Sequence, residues 1–206
     1  VPAPKKPEDT SALRRGWTTG ACAASAAASA FGALKGQGFE DPVSIVLPGG
    51  QDPAFALAVE AQGPGWALAG VIKDAGDDPD ITHGATVQTR VSWGEPGSGV
   101  VFVAGEGVGT VTKPGLPIEV GQPSITPGPR AQIADALSAR NNGALPDVVM
   151  ELSVPGGEAM ALKTVNPRLG VLGGLSILGT TGVVIPYSCS SWIHSIHRGI
   201  DVARAL

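Results

Sequence analysis

The sequence has few aromatic residues, few cysteines and no long apolar run. Aromatic side chains make up 4% of its 206 residues, whereas hydrophobic residues as a whole make up 43%. The core must therefore be built from closely packed Ala, Val, Ile and Leu. Because no segment approaches the roughly 18 to 20 apolar residues that a membrane-spanning helix needs, we expect no membrane partner.

Disulfide and nucleic-acid chemistry are also poorly supported. Only two cysteines occur, Cys22 and Cys189, which argues against a disulfide scaffold. The formal net charge is −4, and a chain without a basic excess lacks the electrostatic footprint of a general nucleic-acid binder. Residues 1–7 are basic and proline-rich, but no apolar segment follows them, so they do not resemble a signal peptide. We therefore predict a soluble cytoplasmic protein.

Glycine and proline are, by contrast, abundant, with 30 and 18 residues. At this apolar content they indicate many turns and not disorder. We predict a flexible arm over residues 1–12 and one domain over residues 13–206. The sequence begins at Val1 without Met and ends at Leu206 inside a helical pattern, so we expect it to be part of a longer protein. A homo-oligomer remains open.

The N-terminal pattern predicts a helix of small residues. Thr18 is a good N-cap, and residues 21–34 contain eight Ala, two Ser and one Cys. Such a helix lets another backbone or a flat ligand approach closely. The free N–H groups of its first turn, with Thr18 and Thr19, could bind an anion. A tightly packed core helix capped by Thr explains the same residues.

Strand patterns occupy the middle of the chain and helices its two ends. This order favours an α+β fold with a mostly antiparallel or mixed sheet, on which the small-residue helix and a C-terminal helix pack. His194 and His197, in the last segment, lack a metal-binding spacing and are interpreted as surface residues. We predict strands over residues 43–47, 55–61, 66–73, 85–93 and 147–154, and further helices over 131–141 and 187–206.

Residues 73–84, reading KDAGDDPDITHG, place five charges and a histidine in a loop that no core should absorb. The acidic residues lack the spacing of a calcium loop, so we predict no metal and interpret them as turn and capping residues. His83 could transfer a proton because a free imidazole titrates near neutrality. A structural hydrogen bond is the alternative role.

Residues 173–182, reading GGLSILGTTG, combine an apolar run with glycine-rich ends. We predict a short buried strand over residues 176–178 and then a turn at which bare backbone can approach a ligand. Thr180 and Thr181 repeat the Thr-Thr-Gly of residues 18–20, which in a chain rich in these residues could be coincidence. The glycines of residues 105–109 are not a dinucleotide fingerprint, because no helix follows them. They indicate a hairpin or a ligand-facing loop.

Together these segments resemble the CbiD family. The resemblance covers nearly the whole chain from Leu13 onward, with its signatures in family order. It is carried by residues 14–24 (RRGWTTGACAA), 73–84, 105–117, 154–158, 166–170 and 173–182.

The resemblance implies an enzyme of the oxygen-independent cobalamin route, a cobalt-precorrin-5B C(1)-methyltransferase. It would transfer a methyl group from S-adenosylmethionine to a ring carbon of a cobalt-bearing tetrapyrrole. Members of the family normally continue beyond this region into a further α/β part. Methyl transfer needs the ring carbon aligned with the sulfonium methyl, and positioning can supply much of the rate.

The resemblance also implies site residues. If a proton must be removed, His83 and Asp78 are the first candidates because they flank the rigid Pro79 turn, followed by Asp77 and Asp80. The cofactor is expected at the two threonine-glycine segments, which comprise Gly179, Thr180, Thr181, Gly182, Thr18, Thr19 and Gly20. The carboxylates of the tetrapyrrole are expected to pair with the basic residues of the signatures, namely Arg14, Arg15, Lys73, Lys113 and Arg168.

Two other functions remain open. A hydrolase or acyltransferase could use a threonine of either Thr-Thr-Gly segment as its nucleophile, but it would need a general base or a freed N terminus to activate that residue. Neither pair has a base close in sequence. A non-catalytic module that binds a tetrapyrrole is the third reading.

Overall fold

The computed structural model describes residues 13–206, so the arm predicted over residues 1–12 lies outside the described residues. The elements are, in order, β1 (Gly16–Trp17), α1 (Thr19–Leu34), β2 (Val43–Ser44), β3 (Ala54–Phe55), β4 (Leu57–Gly63), β5 (Trp66–Ile72), β6 (Thr86–Trp93), β7 (Val100–Ala104), β8 (Thr110–Val111), α2 (Pro127–Ala139), β9 (Val148–Ser153), α3 (Gly157–Ala161), β10 (Val171–Leu172), β11 (Val183–Val184) and α4 (Cys189–Ala205).

The main sheet has five strands in the order β4-β5-β6-β9-β7. Its neighbours are antiparallel except for β7, which runs parallel to β9. The remaining described strands form three two-stranded ribbons, β1-β11, β2-β3 and β8-β10. The predicted α+β class and mixed sheet are therefore confirmed.

Helix α1 lies in the core between this sheet and α2. It contacts β5, β6 and α2, and its Ala residues from Ala21 to Ala30 are fully buried. Small side chains make this possible, because the helix axis can approach both layers closely. The Thr89 hydroxyl of β6 donates to the Ala23 carbonyl at 3.2 Å, directly across the contact.

The buried face of the sheet follows the alternation expected of strands with one face in the core. Every second residue of β5, β6 and β9 is buried against the helices, while the residues between them, apart from Gly70, are partly or fully exposed. The buried set is Ala67, Ala69, Val71, Val87, Thr89, Val91, Val148, Met150 and Leu152.

Helix α4 forms where the sequence predicts it, but its packing differs from the expectation. Val202 is its one buried side chain, and an added Cβ at Gly115 would lie 2.6 Å from the Val202 Cα. The helix therefore meets the body through the loop that contains Gly115, and its large apolar side chains do not lie on the sheet. His194 and His197 are exposed, as predicted.

The strand predicted over residues 176–178 is reduced to one bridge, between Ile177 and Ile125. Ile177 is buried, whereas Leu178 is 55% exposed. The predicted buried segment therefore ends at Ile177, one residue before its predicted end at Leu178. No helix within residues 13–206 has both the length and the apolar character needed to cross a bilayer.

We predict that Ala27→Leu destabilises the chain by about 1–3 kcal/mol, because overpacking a close-packed helix forces strain on both layers. Ala27 is fully buried in α1. The matched control is Ala131→Leu on the exposed side of α2, which should stay within about 0.5 kcal/mol. Urea unfolding at constant m-value measures both. Equal midpoints for the two variants would contradict close packing around α1.

Candidate functional site

The two Thr-Thr-Gly segments lie against each other. The Thr18 N–H donates to the Gly182 carbonyl at 2.9 Å, and the Gly20 N–H donates to the Leu178 carbonyl at 3.3 Å. Immediately before and after them, β1 and β11 pair antiparallel. The turn over residues 179–182 therefore closes over the N terminus of α1, and the two segments form one structural unit.

Glycine is required at the centre of this contact. Gly179 has φ 122°, a conformation that residues with a Cβ rarely adopt. A Cβ at this position would also lie 2.4 Å from the Thr18 Cβ. Gly20 is equally confined, since its Cβ would lie 2.8 Å from the ring of Pro129 in α2. The turn, α1 and α2 thus meet without room for an additional methyl group.

The four threonines have different environments. Thr18 and Thr19 are buried, and the Thr18 hydroxyl accepts from the Ala21 N–H at 3.2 Å, which confirms it as the N-cap of α1. The N–H groups of Gly20 and Ala21, which the sequence left for an anion, are thus satisfied within the chain. Thr180 and Thr181 are exposed, so these hydroxyls can reach a ligand.

A buried glutamine holds the turn from below. Gln132 of α2 is 5% exposed, and its side-chain NH₂ donates to the carbonyls of Gly179 and Thr180 at 2.9 and 3.4 Å. Its Oε1 is buried and has no hydrogen-bond partner in the described chain. An unpaired buried acceptor costs about 1–3 kcal/mol, so this atom is suited to receive a donor.

The acidic loop over residues 73–84 is fastened to residues 14–17. The Arg14 guanidinium makes two bonds to the Asp74 carboxylate, at 2.5 and 2.9 Å, and the Arg14 N–H donates to Asp77 at 2.7 Å. Hydrogen bonds from Arg14 and from the Gly76 N–H hold the pKa of Asp74 at about 2. Gly16 lies so close to Ala75 that a Cβ would overlap its backbone. The loop therefore has a fixed position beside β1.

The two proposed proton-transfer residues both lie on this loop. His83 is exposed, and its Nδ1 accepts the Ala75 N–H at 3.1 Å. In the neutral imidazole the proton is therefore carried by Nε2, which can donate but not accept. Asp78 accepts the Tyr187 N–H through Oδ1 at 2.9 Å, while its Oδ2 has no hydrogen bond within residues 13–206. Asp78 is thus the better placed of the two to accept a proton.

Lys73 corrects the expectation that no core could absorb this loop. Its side chain is 1% exposed, and its Nζ forms an ion pair with Asp80. Asp80 also accepts both the N–H and the hydroxyl of Thr82. Burial alone would raise the pKa of Asp80, but the Lys73 charge and these hydrogen bonds outweigh it and lower that pKa. The charge of Lys73 is tolerated in the core because the Asp80 carboxylate neutralises it there.

The glycine loop over residues 105–109 lies against the first residues of the stretch 173–182, whereas Arg15 is exposed directly before β1. A Cβ at Gly174 would overlap the backbone of Gly107. The stem of Lys113 passes over Gly170, within 2.4 Å of where a Cβ would be, and Arg168 is exposed nearby in sequence. The stretch of residues 173–182 thus connects this loop to the N terminus of α1.

Comparison with known proteins decides the family. The CbiD family model matches residues 6–186. The chain belongs to the CbiD family. Within the described residues, one signature segment of the family makes the contacts given above. Residues 14–20 contact both the acidic loop and the turn over residues 179–182.

Relatives within the CbiD family are similar over nearly the whole chain. A cobalt-precorrin-5B C(1)-methyltransferase of Paramagnetospirillum magneticum is 64% identical over 96% of this chain and 56% of that protein. One of Rhodospirillum rubrum is 61% identical over 94% of this chain and 53% of that protein. The chain therefore spans about half the length of the curated relatives it matches.

A solved structure agrees with the fold. The 1.9 Å crystal structure of the cobalamin biosynthesis protein CbiD of Archaeoglobus fulgidus is 32% identical to this chain, with a TM-score of 0.63. The match covers 89% of this chain and 58% of that one. The solved protein, too, extends well beyond the matched part.

Three features of the candidate site have no clear sequence signal. Gln132 lies in an ordinary amphipathic helix, and only the fold places it beneath the turn. Tyr187 contributes a backbone N–H, which sequence cannot indicate. The Lys73–Asp80 pair could have been suspected from two opposite charges seven residues apart. Its burial could not, because it depends on how residues 73–84 pack beside residues 14–17.

The structure shows the environment of Cys22 and of the potential metal ligands. Cys22 is fully buried in α1, and desolvation raises the pKa of its thiol to about 12, so it behaves as a small core residue. Within residues 13–206, no three side chains of His, Cys, Asp or Glu converge as metal ligands.

We predict an asymmetric response at the Lys73–Asp80 pair. Asp80→Ala leaves a buried ammonium without a partner and should cost about 3–5 kcal/mol. Lys73→Met should cost less, because Asp80 is 26% exposed and keeps its bonds from Thr82. The control is Asp201→Ala, which breaks the exposed pair with Arg198 and should cost at most about 1 kcal/mol. Denaturant unfolding measures all three, and an Asp80→Ala loss no larger than that of Lys73→Met would contradict the assignment.

Proposed function

We propose that this chain forms part of an enzyme that transfers a methyl group from S-adenosylmethionine to a ring carbon of cobalt-precorrin-5B, in cobalamin biosynthesis. The observation that carries the proposal is the 64% and 61% identity, over nearly the whole chain, to relatives that bear the name of this methyltransferase. The site geometry supports it, because residues 14–20 of one family signature contact both the acidic loop and the glycine-lined turn over residues 179–182.

The residues at the turn fit S-adenosylmethionine. The unpaired Oε1 of Gln132 can accept an N–H, and this cofactor carries amino donors. The exposed hydroxyl of Thr180 can donate to a carboxylate or bond to a ribose. The hydroxyl of Thr181 is also exposed, but it already donates to the Val183 carbonyl, so it can only accept from a ribose hydroxyl. The bound cofactor supplies an electrophilic methyl group on its sulfonium. Thr18, Thr19 and Gly20 lie beneath the turn, so their role is to hold its backbone in place.

The charges that can hold the tetrapyrrole are fewer than the sequence suggested. Arg14 is neutralised by Asp74 and Lys73 by Asp80. Arg15, Lys113 and Arg168 form no ion pair within the described residues. A guanidinium or ammonium without a partner can bind a substrate carboxylate at little desolvation cost. We assign carboxylate binding to these three residues.

Asp78 and His83 are the residues for proton movement. The carboxylate of Asp78 accepts at Oδ2, while Oδ1 is held by the Tyr187 N–H. His83 presents Nε2–H to solvent, so it can donate a hydrogen bond to a substrate carbonyl or carboxylate. Asp78 therefore takes the proton from the substrate, and His83 orients the substrate beside it.

The threonine-nucleophile reading is weaker. The Thr18 hydroxyl is used as a helix cap, and that of Thr181 bonds to the Val183 backbone. Within residues 13–206, no His, Asp or Glu side chain hydrogen-bonds to any of the four threonine hydroxyls of the two segments. A threonine without a base is a poor nucleophile.

We predict that Asp78→Asn lowers the rate of methyl transfer by about 10²–10⁴-fold, the usual contribution of a positioned base. Asn can still accept the Tyr187 N–H, so the loop should keep its shape. The assay follows labelled methyl transfer in a longer form, made by joining this chain to the part of the Paramagnetospirillum magneticum relative that it does not match. Asp135→Asn, on the exposed side of α2, is the control.

Full activity of Asp78→Asn would remove Asp78 from the mechanism, and full activity of His83→Ala would remove His83. Binding of a cobalt-corrinoid precursor by the longer form, without binding of S-adenosylmethionine, would contradict the proposal and favour a non-catalytic tetrapyrrole-binding module. Equilibrium dialysis with each ligand separately makes this distinction.

We also predict that Gly179→Ala weakens binding of S-adenosylmethionine to the longer form by at least about tenfold, because its Cβ would displace Thr18 and the turn. Gly173→Ala is the matched control. Gly173 also has positive φ, 81°, but a Cβ there meets no atom within 4 Å. Both substitutions place a Cβ on a backbone with positive φ, but only the one at Gly179 also clashes with Thr18. Equal affinities would therefore separate the turn from cofactor binding.

A further inference from the structure

Helix α4 carries an apolar stripe that the described chain does not cover. Residues three, four and seven apart lie on one face of a helix, and α4 has large apolar residues at this spacing. Trp192, Ile193, Ile196 and Ile200 are 71%, 54%, 59% and 48% exposed. With Cys189 at its beginning and Ala203 near its end, we call these six residues the α4 stripe.

The body of the protein contacts a different side of α4. Val202, the one buried side chain of this helix, is nine residues from Ile193, which places the two half a turn apart. The backbone at Val202 packs against Gly115. The α4 stripe therefore points away from the part of the chain to which the helix is attached.

A stripe of this kind is unfavourable in water. Each large apolar side chain gains about 1.5–3 kcal/mol when it is buried, and a contiguous exposed patch of such residues marks an interaction surface. The opposite face carries His194, Arg198 and Asp201. The helix is thus built to have one face covered and one face in water.

We infer that the α4 stripe is the docking surface for the polypeptide that the relatives carry beyond the region matched by this chain. Relatives from Brucella are 58% identical over 100% of this chain but only 56% of their own length. They therefore contain both the segment that corresponds to α4 and a large further part. A surface and its partner within one polypeptide meet at an effective concentration in the millimolar range.

Two other occupants fit less well. A membrane surface would be favoured by a strongly basic polar face, but Arg198 is paired with Asp201, so that face has little net charge. A second copy of the chain would have to compete with the covalently linked further part for the same stripe. The inference is independent of the proposed function, because it concerns the assembly of the protein and not its chemistry.

Cys189 provides the test. It is an exposed cysteine at the start of the stripe, whereas Cys22 is buried, so alkylation with iodoacetamide reports on Cys189. We expect alkylation to be at least about tenfold slower in the longer form defined above than in the 206-residue chain. Ile196→Asp in the longer form should restore the rate to within about twofold of that of the 206-residue chain. His194→Asp, on the polar face, should leave it slow.

Several outcomes would overturn the inference. One is equal alkylation in both forms, and another is a slow rate in the longer form that Ile196→Asp does not change. A 206-residue chain that sediments as a dimer, and becomes a monomer with Ile196→Asp, would assign the stripe to a second copy. If the longer form co-sediments with phosphatidylglycerol vesicles and Ile196→Asp abolishes this binding, the stripe would instead be assigned to a lipid surface. A longer form that fails to fold would also count against it, since 64% identity should preserve a shared interface.

Discussion

The pairing of residues 18–20 with residues 178–182 is the contact on which the rest of the site depends. Two backbone hydrogen bonds, from Thr18 to Gly182 and from Gly20 to Leu178, join the N terminus of α1 to a turn more than 150 residues later in the chain. Gly179 permits the contact because a Cβ would occupy the place of the Thr18 side chain. Since α1 is itself locked between the sheet and α2, the turn takes its position from the core. The exposed hydroxyls of Thr180 and Thr181 are therefore presented by a rigid support, as a binding site requires.

The charged residues divide according to what holds them. Asp74 and Asp80 each neutralise one basic residue, and the two pairs fix the acidic loop at its edge and in its interior. This leaves Asp78 with a free oxygen and His83 with a free N–H on the surface of a loop that cannot easily move. The same division leaves Arg15, Lys113 and Arg168 without an ion pair within the described residues, as the proposal that they bind substrate carboxylates requires. Most charged side chains of the acidic loop therefore form contacts within the protein, and few are left to bind a ligand.

Much of this could be predicted from the sequence. The spacing and the Thr18 cap predicted α1, and alternation predicted β5, β6 and β9, because both signals are local. The family was also recognisable, since its signatures are long and ordered. The partners of Lys73 and Gln132 were not predictable, because each depends on contacts between segments distant in sequence. Likewise, the spacing of apolar residues predicted helix α4 correctly, but it did not predict which surface covers their side chains.

The most direct test of the central claim is an NMR titration of the longer form, labelled with ¹⁵N, with S-adenosylhomocysteine. If the turn over residues 179–182 forms a wall of the cofactor site, the largest shifts should occur at the amides of Thr180, Thr181 and Gly182 and at the side-chain NH₂ of Gln132. The amides of α4 should change little and serve as the internal control. Saturable binding that leaves the turn and Gln132 unchanged, and perturbs only residues elsewhere, would contradict the account.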